Sequence, residues 1–199
     1  MLHATEALER LRQGNRRFVA HQTTTPQFPE AGLTEGQEPF AIILGCSDSR
    51  VPAELVFDQG FGDLFVIRVA GNIVAPSLIG SVEFAASRFG TRLVVVMGHT
   101  QCGAVLATLE ELEGHPRPES RNLRAIIDRV RPSLEVLLAR GPVRNAEDLL
   151  HQAVRANVRA SADHLRHGSE MLERLGQEDG LRVVAAEYSL ETGVVDFFE

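Results

Sequence analysis

The fold class of this chain is most evident from an apolar run, Phe40-Ala41-Ile42-Ile43-Leu44-Gly45, and from the polar cluster that follows it, Cys46-Ser47-Asp48-Ser49-Arg50. A short, continuous apolar run with branched side chains is typical of a strand buried on both faces of a parallel sheet. A second such run, Leu93-Val94-Val95-Val96-Met97-Gly98, is followed by His99-Thr100-Gln101-Cys102. Because ligands bind at the carboxyl edge of open α/β sheets, we expect both polar clusters to lie just past two strand ends at that edge.

Strands and helices alternate along the rest of the chain, which predicts an α/β fold with a parallel sheet. We expect strands over residues 40–45, 64–69, 93–97, 181–187 and 193–197. An amphipathic N-terminal helix ends before a polar loop that reaches about Pro39, and further helices are expected over 77–89, from about 102, over 122–138 and after the candidate N-cap Asn145. Pro132 lies inside 122–138, so we expect a kink or two helices there.

Length, charge and cysteine content restrict the class of protein. A chain of 199 residues predicts one domain, and a formal charge of −7 argues against a nucleic-acid or anionic-membrane surface. No apolar run approaches the ~20 residues that span a bilayer, and residues 1–20 lack the apolar core of a signal peptide, so we expect a cytoplasmic protein. Two cysteines in a reducing compartment favour metal ligation or catalysis over a disulfide.

Two thiols and an imidazole at neighbouring strand ends form the ligand set of a zinc site. His99 and Cys102 can both come from one strand-to-helix turn, while Cys46 arrives from a strand 53 positions earlier. Taken alone, a strand-end cysteine is more often a small buried hydrophobe, and a lone histidine is more often structural. Together, Cys46, His99 and Cys102 predict a Cys₂His site whose fourth position is open.

Asp48 and Arg50 follow Cys46 at spacings of two, so alternation in an extended segment would place all three on one side. Asp48 could take the fourth metal position, or pair with Arg50 through two parallel hydrogen bonds. With Asp48 released, water fills the position, and zinc acidifies that water so that hydroxide forms near neutral pH.

These motifs resemble the zinc signature of the bacterial β-class carbonic anhydrases. The stretch Leu64-Phe65-Val66-Ile67-Arg68-Val69-Ala70-Gly71-Asn72 is similar to the family's second strand and following loop, and Ser81-Val82-Glu83-Phe84-Ala85 to its next helix. Glu187-Tyr188 to Gly193 is similar to its C-terminal hairpin, and the resemblance runs from about residue 37 to residue 195.

The resemblance implies a four-stranded parallel sheet extended by a fifth, antiparallel strand and flanked by helices. It implies a single domain, with an N-terminal helical arm and loop over 1–36 and an α/β core over 37–199. It also implies a homodimer, or a dimer of dimers, in which the N-terminal helix reaches over the partner and the active sites lie at the interface.

The resemblance further assigns roles to residues of this chain. Zinc is bound by Cys46, His99 and Cys102, with Asp48 as fourth ligand in a closed state, and Asp48 and Arg50 form the catalytic pair in the open state. The other assignments are a substrate-orienting glutamine, two pocket-wall aromatics and a backbone amide that holds bicarbonate, at Gln37, Phe65, Phe84 and Gly103. Many members of the family have Tyr at the position of Phe84.

The implied activity is zinc-dependent, reversible hydration of CO2 to bicarbonate and a proton through zinc-bound hydroxide. Two alternatives remain open: hydrolysis of carbon disulfide or carbonyl sulfide on the same site, and a non-catalytic zinc or anion-binding module. One departure bears on regulation, because some bacterial members have an inhibitory bicarbonate site built from Trp, Arg and Tyr. Here Arg68 and Tyr188 match, but Ile43 stands at the Trp position, so we expect weak or no inhibition of that kind.

Overall fold

Five strands form a single sheet, in which the strands that carry the two polar clusters are direct neighbours. The computed structural model describes residues 2–24, 34–141 and 145–198. The strands lie in the order β2-β1-β3-β4-β5. In chain order the elements are α1 (Ala4–Val19), β1 (Ala41–Gly45), α2 (Ala53–Val56), β2 (Leu64–Arg68), a 3-10 turn (Ala70–Asn72), α3 (Pro76–Arg88), β3 (Leu93–His99), α4 (Gly103–Leu112), α5 (Arg121–Leu138), α6 (Ala146–His167), α7 (Glu170–Glu178), β4 (Arg182–Tyr188) and β5 (Val195–Phe198).

The first four strands are parallel and the fifth is antiparallel, which confirms the predicted fold class. β1 pairs with β2 and with β3, and β3 pairs with β4, all in parallel. β5 runs antiparallel to β4, with Val195 opposite Tyr188. Gly45 of β1 lies opposite Met97 of β3, so Cys46 and His99 emerge at the same edge of the sheet.

Both faces of the sheet are covered, which explains why β1 and β3 read as continuous apolar runs. Every residue of these two strands is buried. On one face the side chains pack against α3 to α7, in a cluster that includes Leu44, Val96 and Val158. On the other face they pack against α1 and α2, in a cluster that includes Ile43 and Val95.

The apolar stripe of α1 is buried against the sheet of its own chain. Ala7 and Leu11 are fully buried and Leu8 nearly so, in the cluster on the α2 side of the sheet. Among the described residues, α2 is the one other helix on this face, and it has four residues, so α1 supplies most of the helical cover there.

Asn15 of α1 forms hydrogen bonds with two distant parts of the chain, the end of α2 and the start of β5. Its side-chain amide donates to the carbonyls of Val56 at 3.1 Å and Gly193 at 2.9 Å, and its oxygen accepts from the Val195 amide at 2.9 Å. A buried amide is stabilising only when its groups are paired in this way. The polar side chain therefore specifies how α1 docks beside β5.

The remaining helices agree with those expected from the sequence, except that α5 is a single helix and that α2 and α7 are additional. The Asn145 oxygen accepts from the Asp148 amide at 2.8 Å, as expected of an N-cap. α5 is one helix that runs through Pro132, because Val130 and Leu134 on its buried face hold both halves on the core. α2 and α7 were not predicted, and the loop expected after α1 falls largely on residues 25–33, outside the described residues.

A membrane-spanning role finds no support among the helices that the structure describes. None of them combines the length and the apolar character needed to cross a bilayer.

Candidate metal centre

Two cysteines and a histidine converge at the carboxyl edge of β1 and β3. Their ligand atoms all lie within 4.8 Å of one another, and all three residues are buried. Cys46 directly follows β1, and Cys102 is the N-cap of α4. His99 was expected just past its strand but is the last residue of β3, because the pairing with β4 continues as far as Tyr188.

The ring of His99 is oriented so that one nitrogen is left for a ligand. Its Nδ1 lies 2.8 Å from the carbonyl oxygen of Thr100, which can only accept, so Nδ1 carries the proton. Its Nε2 is buried and has no hydrogen-bond partner among the described residues. An unpaired buried nitrogen is costly, and a metal ion beside two sulfurs would satisfy it.

The two thiols lie close enough to share a proton. The hydrogen bond from Cys102 lowers the pKa of Cys46 to about 4, although burial opposes this. The same contact, together with burial, raises the pKa of Cys102. Two buried thiolates side by side would repel each other, and a bound cation would allow both sulfurs to be deprotonated. The donor set fits zinc.

Asp48 is bound by Arg50 and reaches toward the ligand cluster. Arg50 donates from Nε to Oδ1 at 2.9 Å and from its terminal nitrogen to Oδ2 at 2.8 Å. These bonds hold the pKa of Asp48 well below its usual range. Oδ2 lies 3.7 Å from Nε2 of His99. This is the arrangement that the resemblance assigns to the open state.

The pairing of Asp48 with Arg50 is reached by a turn and not by extended alternation. The Asp48 carboxylate accepts from the Arg50 backbone amide at 3.0 Å, and the Asp48 carbonyl accepts from the Val51 amide at 3.1 Å. An aspartate readily folds the chain onto itself in this way. The expected neighbourhood of the two side chains is present, but the expected backbone conformation was wrong.

Residues outside the ligand set support the loop that carries Cys46. Arg68 donates to the carbonyls of Cys46 at 3.2 Å and Asp48 at 2.6 Å. The amide of Gly71 donates to the Cys46 sulfur at 3.4 Å, and Asn157 of α6 donates to the Gly71 carbonyl at 2.8 Å. The role of Asn157 was missed, although a polar side chain on the apolar face of its helix was a signal.

The expected pocket residues are not all brought to the metal ligands of the same chain. Gly103 is the first residue of α4, directly after Cys102, while Gln37 is exposed in the segment before β1. Phe65 lies opposite Ile42, four residues before the level of Cys46 and so roughly 13 Å along the strand.

Phe65 and Phe84 instead form an aromatic cluster with Phe89. The ring centroids of Phe65 lie 6.2 Å from Phe84 and 6.1 Å from Phe89, and Phe84 and Phe89 meet edge to face at 5.6 Å. Phe84 is 53% exposed. The cluster therefore presents an aromatic surface beside the edge strand β2.

Comparison with known proteins agrees with this architecture. The family model described as carbonic anhydrase matches residues 41–195. Carbonic anhydrase 2 of Mycobacterium tuberculosis is 37% identical over 193 residues, covering 94% of this chain and 89% of that protein. The carbonic anhydrase of Mycolicibacterium smegmatis is 46% identical over 131 residues, covering 64% of this chain and 63% of that protein.

Solved structures of β-carbonic anhydrases have the same fold. CafA of Aspergillus fumigatus superposes with a TM-score of 0.76 at 25% identity, covering 98% of this chain and 86% of that chain. One of the tetrameric enzymes of Sordaria macrospora superposes with a TM-score of 0.73 at 23% identity, covering 83% of each chain. Sequence family, fold and ligand cluster agree, and this chain belongs to the β-class of the carbonic anhydrase family, which are lyases.

Proposed function

We propose that this chain hydrates CO2 reversibly to bicarbonate and a proton, with a zinc ion held by Cys46, His99 and Cys102. The observation that supports this most is the buried Nε2 of His99, which has no hydrogen-bond partner in the described residues and shares a 4.8 Å cluster with two sulfurs. Sulfur and imidazole ligands suit zinc. Zinc bound there would act as a Lewis acid that acidifies a water molecule, as it does in carbonic anhydrases generally.

Asp48 and Arg50 govern the space beside the ligands. Arg50 keeps the carboxylate ionised and holds both of its oxygens, which would keep Asp48 from binding the metal as a fourth ligand. The Oδ2 atom, 3.7 Å from Nε2 of His99, would then accept a hydrogen bond from the hydroxyl group of bicarbonate bound beside the metal ligands. The same carboxylate would block the site if it left Arg50 and bound the metal.

The product anion would be held by the start of α4. Gly103 is the first residue of this ten-residue helix, and a side chain added there would meet nothing within 4 Å. Backbone amides and the helix dipole at such an end attract anions. We infer that the Gly103 amide donates to bicarbonate beside the metal ligands.

We further propose that the working unit is a homodimer whose aromatic surface completes the pocket. Phe84 is 53% exposed and packs on Phe65, which lies too far along β2 to wall the pocket of its own chain. Phe61, before β2, is 57% exposed as well. A second copy that covers this surface would place Phe65, Phe84 and Gln37 near the metal ligands. Two dimers could pair into a tetramer in addition.

The two free thiols support a reducing location for this enzyme, which we take to be the cytoplasm. Cys46 and Cys102 lie close enough for their sulfurs to interact directly. Under oxidising conditions the two thiols could form a disulfide, and both metal ligands would be lost.

Metal analysis combined with stopped-flow CO2 hydration tests the proposed function. His99→Ala should lose zinc and activity together, whereas His115→Ala, at an exposed histidine after α4, should keep both. Hydrolysis of carbon disulfide or carbonyl sulfide without CO2 hydration would favour the alternative substrates. Zinc without turnover would favour a binding module, and full activity in metal-free protein would contradict the proposal.

A further inference from the structure

The orientation of the His99 ring depends on one backbone carbonyl. The Thr100 carbonyl lies 2.8 Å from Nδ1 and so determines which way the imidazole faces. In metal sites, the partner of the second ring nitrogen aims the ligating nitrogen and is costly to disturb. Whatever holds Thr100 in place therefore also aims Nε2 at the two sulfurs.

Thr100 is not itself part of a strand or helix. β3 ends at His99 and α4 begins at Gly103, so Thr100 lies in the turn between them. The next residue, Gln101, has φ +58°, a left-handed conformation that is unfavourable for a residue other than glycine. A strained turn of this kind persists only when surrounding contacts maintain it.

The end of β4 and the connection between β4 and β5, residues 189–194, supply these contacts. The Thr100 amide donates to the carbonyl of Tyr188 at 3.0 Å, and the Leu190 amide donates to the Thr100 hydroxyl at 3.0 Å. The same hydroxyl donates to Oε2 of Glu191 at 2.7 Å. The main chain of Thr100 is thus bound to the last residue of β4, and its side chain is bound to the connection that follows.

Glu191 is itself fixed in position. Its Oε2 accepts from the Ser189 hydroxyl at 3.1 Å, and the Ser189 oxygens accept from the amides of Thr192 at 3.1 Å and Gly193 at 2.8 Å. The hydrogen bond from Thr100 is the main reason why the pKa of Glu191 is lowered. The carboxylate is therefore an ionised acceptor, and hydrogen bonds to ionised acceptors are the stronger kind.

We propose that Glu191 is a positioning residue for the metal centre, which acts through Thr100 to hold His99 in its ligating orientation. The inference rests on the proposed zinc site, and it adds the β4–β5 connection to the parts of the chain that retain the metal. Glu191 does not touch the substrate or the metal in this role.

Zinc retention measures the effect directly. Zinc-loaded protein is mixed with a chromophoric chelator, and the rate of zinc transfer is followed for wild type, Glu191→Ala, Thr100→Val and Thr100→Ser. We expect Glu191→Ala and Thr100→Val to lose zinc up to about tenfold faster, because loss of the direct partner of a ligating imidazole costs about 10–100-fold in affinity and these groups act one step further out. Thr100→Ser keeps the hydroxyl and should retain zinc like wild type.

A cobalt-substituted series and a matched control separate positioning from general stability. Glu178→Gln changes an exposed carboxylate in α7, before the opposite end of β4, and should change nothing. The visible spectrum of bound cobalt should shift in Glu191→Ala while the melting temperature of the metal-free protein stays near that of wild type. If Thr100→Val does not fold, zinc retention is measured in Glu191→Gln instead, because Glu191 is exposed and this change leaves the fold intact.

The outcomes distinguish this inference from the proposed function. Wild-type zinc retention in both Glu191→Ala and Glu191→Gln overturns the positioning role alone, as does equal zinc loss in Thr100→Ser and Thr100→Val. A wild-type chain that holds no zinc overturns the zinc site and the inference with it.

Discussion

Replacing Gly98 by alanine should disturb the metal centre from inside the core. Gly98 directly precedes His99 in β3, and an added Cβ would lie 2.4 Å from Cγ2 of Val158 and 3.2 Å from Cγ1 of Val154. An ordinary contact begins near 3.4 Å, so strand and helix must separate by about 1 Å (3.4 − 2.4). α6 is also held in place because Asn157 donates to the carbonyl of Gly71, in the 3-10 turn after β2.

The expected magnitude follows from this overlap. Overpacking of this kind costs about 1–3 kcal/mol of unfolding free energy. Metal sites tolerate ligand errors of only about 0.2 Å, so zinc retention should fall as well. A shift of about 1 Å beside the site should lower kcat/KM on the order of 100-fold.

A double-mutant cycle with Val158→Ala isolates the cause. Val158→Ala alone removes two buried methyl groups and should cost about 1.6 kcal/mol or more. In the double variant the new methyl group occupies the vacated space, so the two effects should offset each other by at least about 1 kcal/mol. Urea unfolding and zinc content of the four proteins measure the coupling.

Gly80→Ala is the matched control, because an added methyl group there meets nothing within 4 Å in the interior of α3. It should stabilise the protein by about 0.5–1 kcal/mol. Wild-type stability of Gly98→Ala, or additivity of the double variant to within about 0.5 kcal/mol, would show that the overlap with Val158 does not matter.

Four further outcomes are expected. Arg50→Lys should lower kcat far more than KM in stopped-flow assays, because a lysine cannot bind both oxygens of Asp48. The pKa of Asp48 is lowered in the folded protein, so the stability contributed by the Asp48–Arg50 pair should be present above pH ~4 and lost as the pH falls further. Acid unfolding of wild type and of Asp48→Asn measures this difference. Phe84→Glu should shift the dimer toward monomer in light scattering, whereas an unchanged mass would count against the aromatic interface. Bicarbonate should inhibit weakly and without cooperativity at fixed ionic strength, since Ile43 replaces an indole; steep sigmoidal inhibition relieved by Arg68→Ala would show otherwise.

Most of the sheet was predictable because its central strands are buried on both faces. The runs before Cys46 and His99 contain little except apolar residues, and their carboxyl ends must meet in a parallel sheet. Asn145 was predictable as an N-cap because its side chain acts within one turn of its own helix. Local chemistry and continuous burial are the two signals that a single sequence carries well.

Features that depend on distant partners were not predictable from local patterns. β3 reaches His99 only because β4 pairs with it as far as Tyr188, and α1 is covered by the sheet of its own chain. The turn at Asp48 competes with an extended strand, and the two differ only in local hydrogen bonds. α5 continues through Pro132 because burial of its apolar face against the core offsets a helix-breaking cost of about 3 kcal/mol.

The bonds of Asn15 have a consequence for biosynthesis. Val195, whose amide donates to the Asn15 side-chain oxygen, is 180 positions further along the chain. At translation rates of 5–20 residues per second, the ribosome needs roughly 10–35 s to make that interval. During that time the stripe of Leu8 and Leu11 has no β5 beside it and no completed sheet to cover. The apolar stripe of α1 therefore cannot reach its final packing until the last strand has been made.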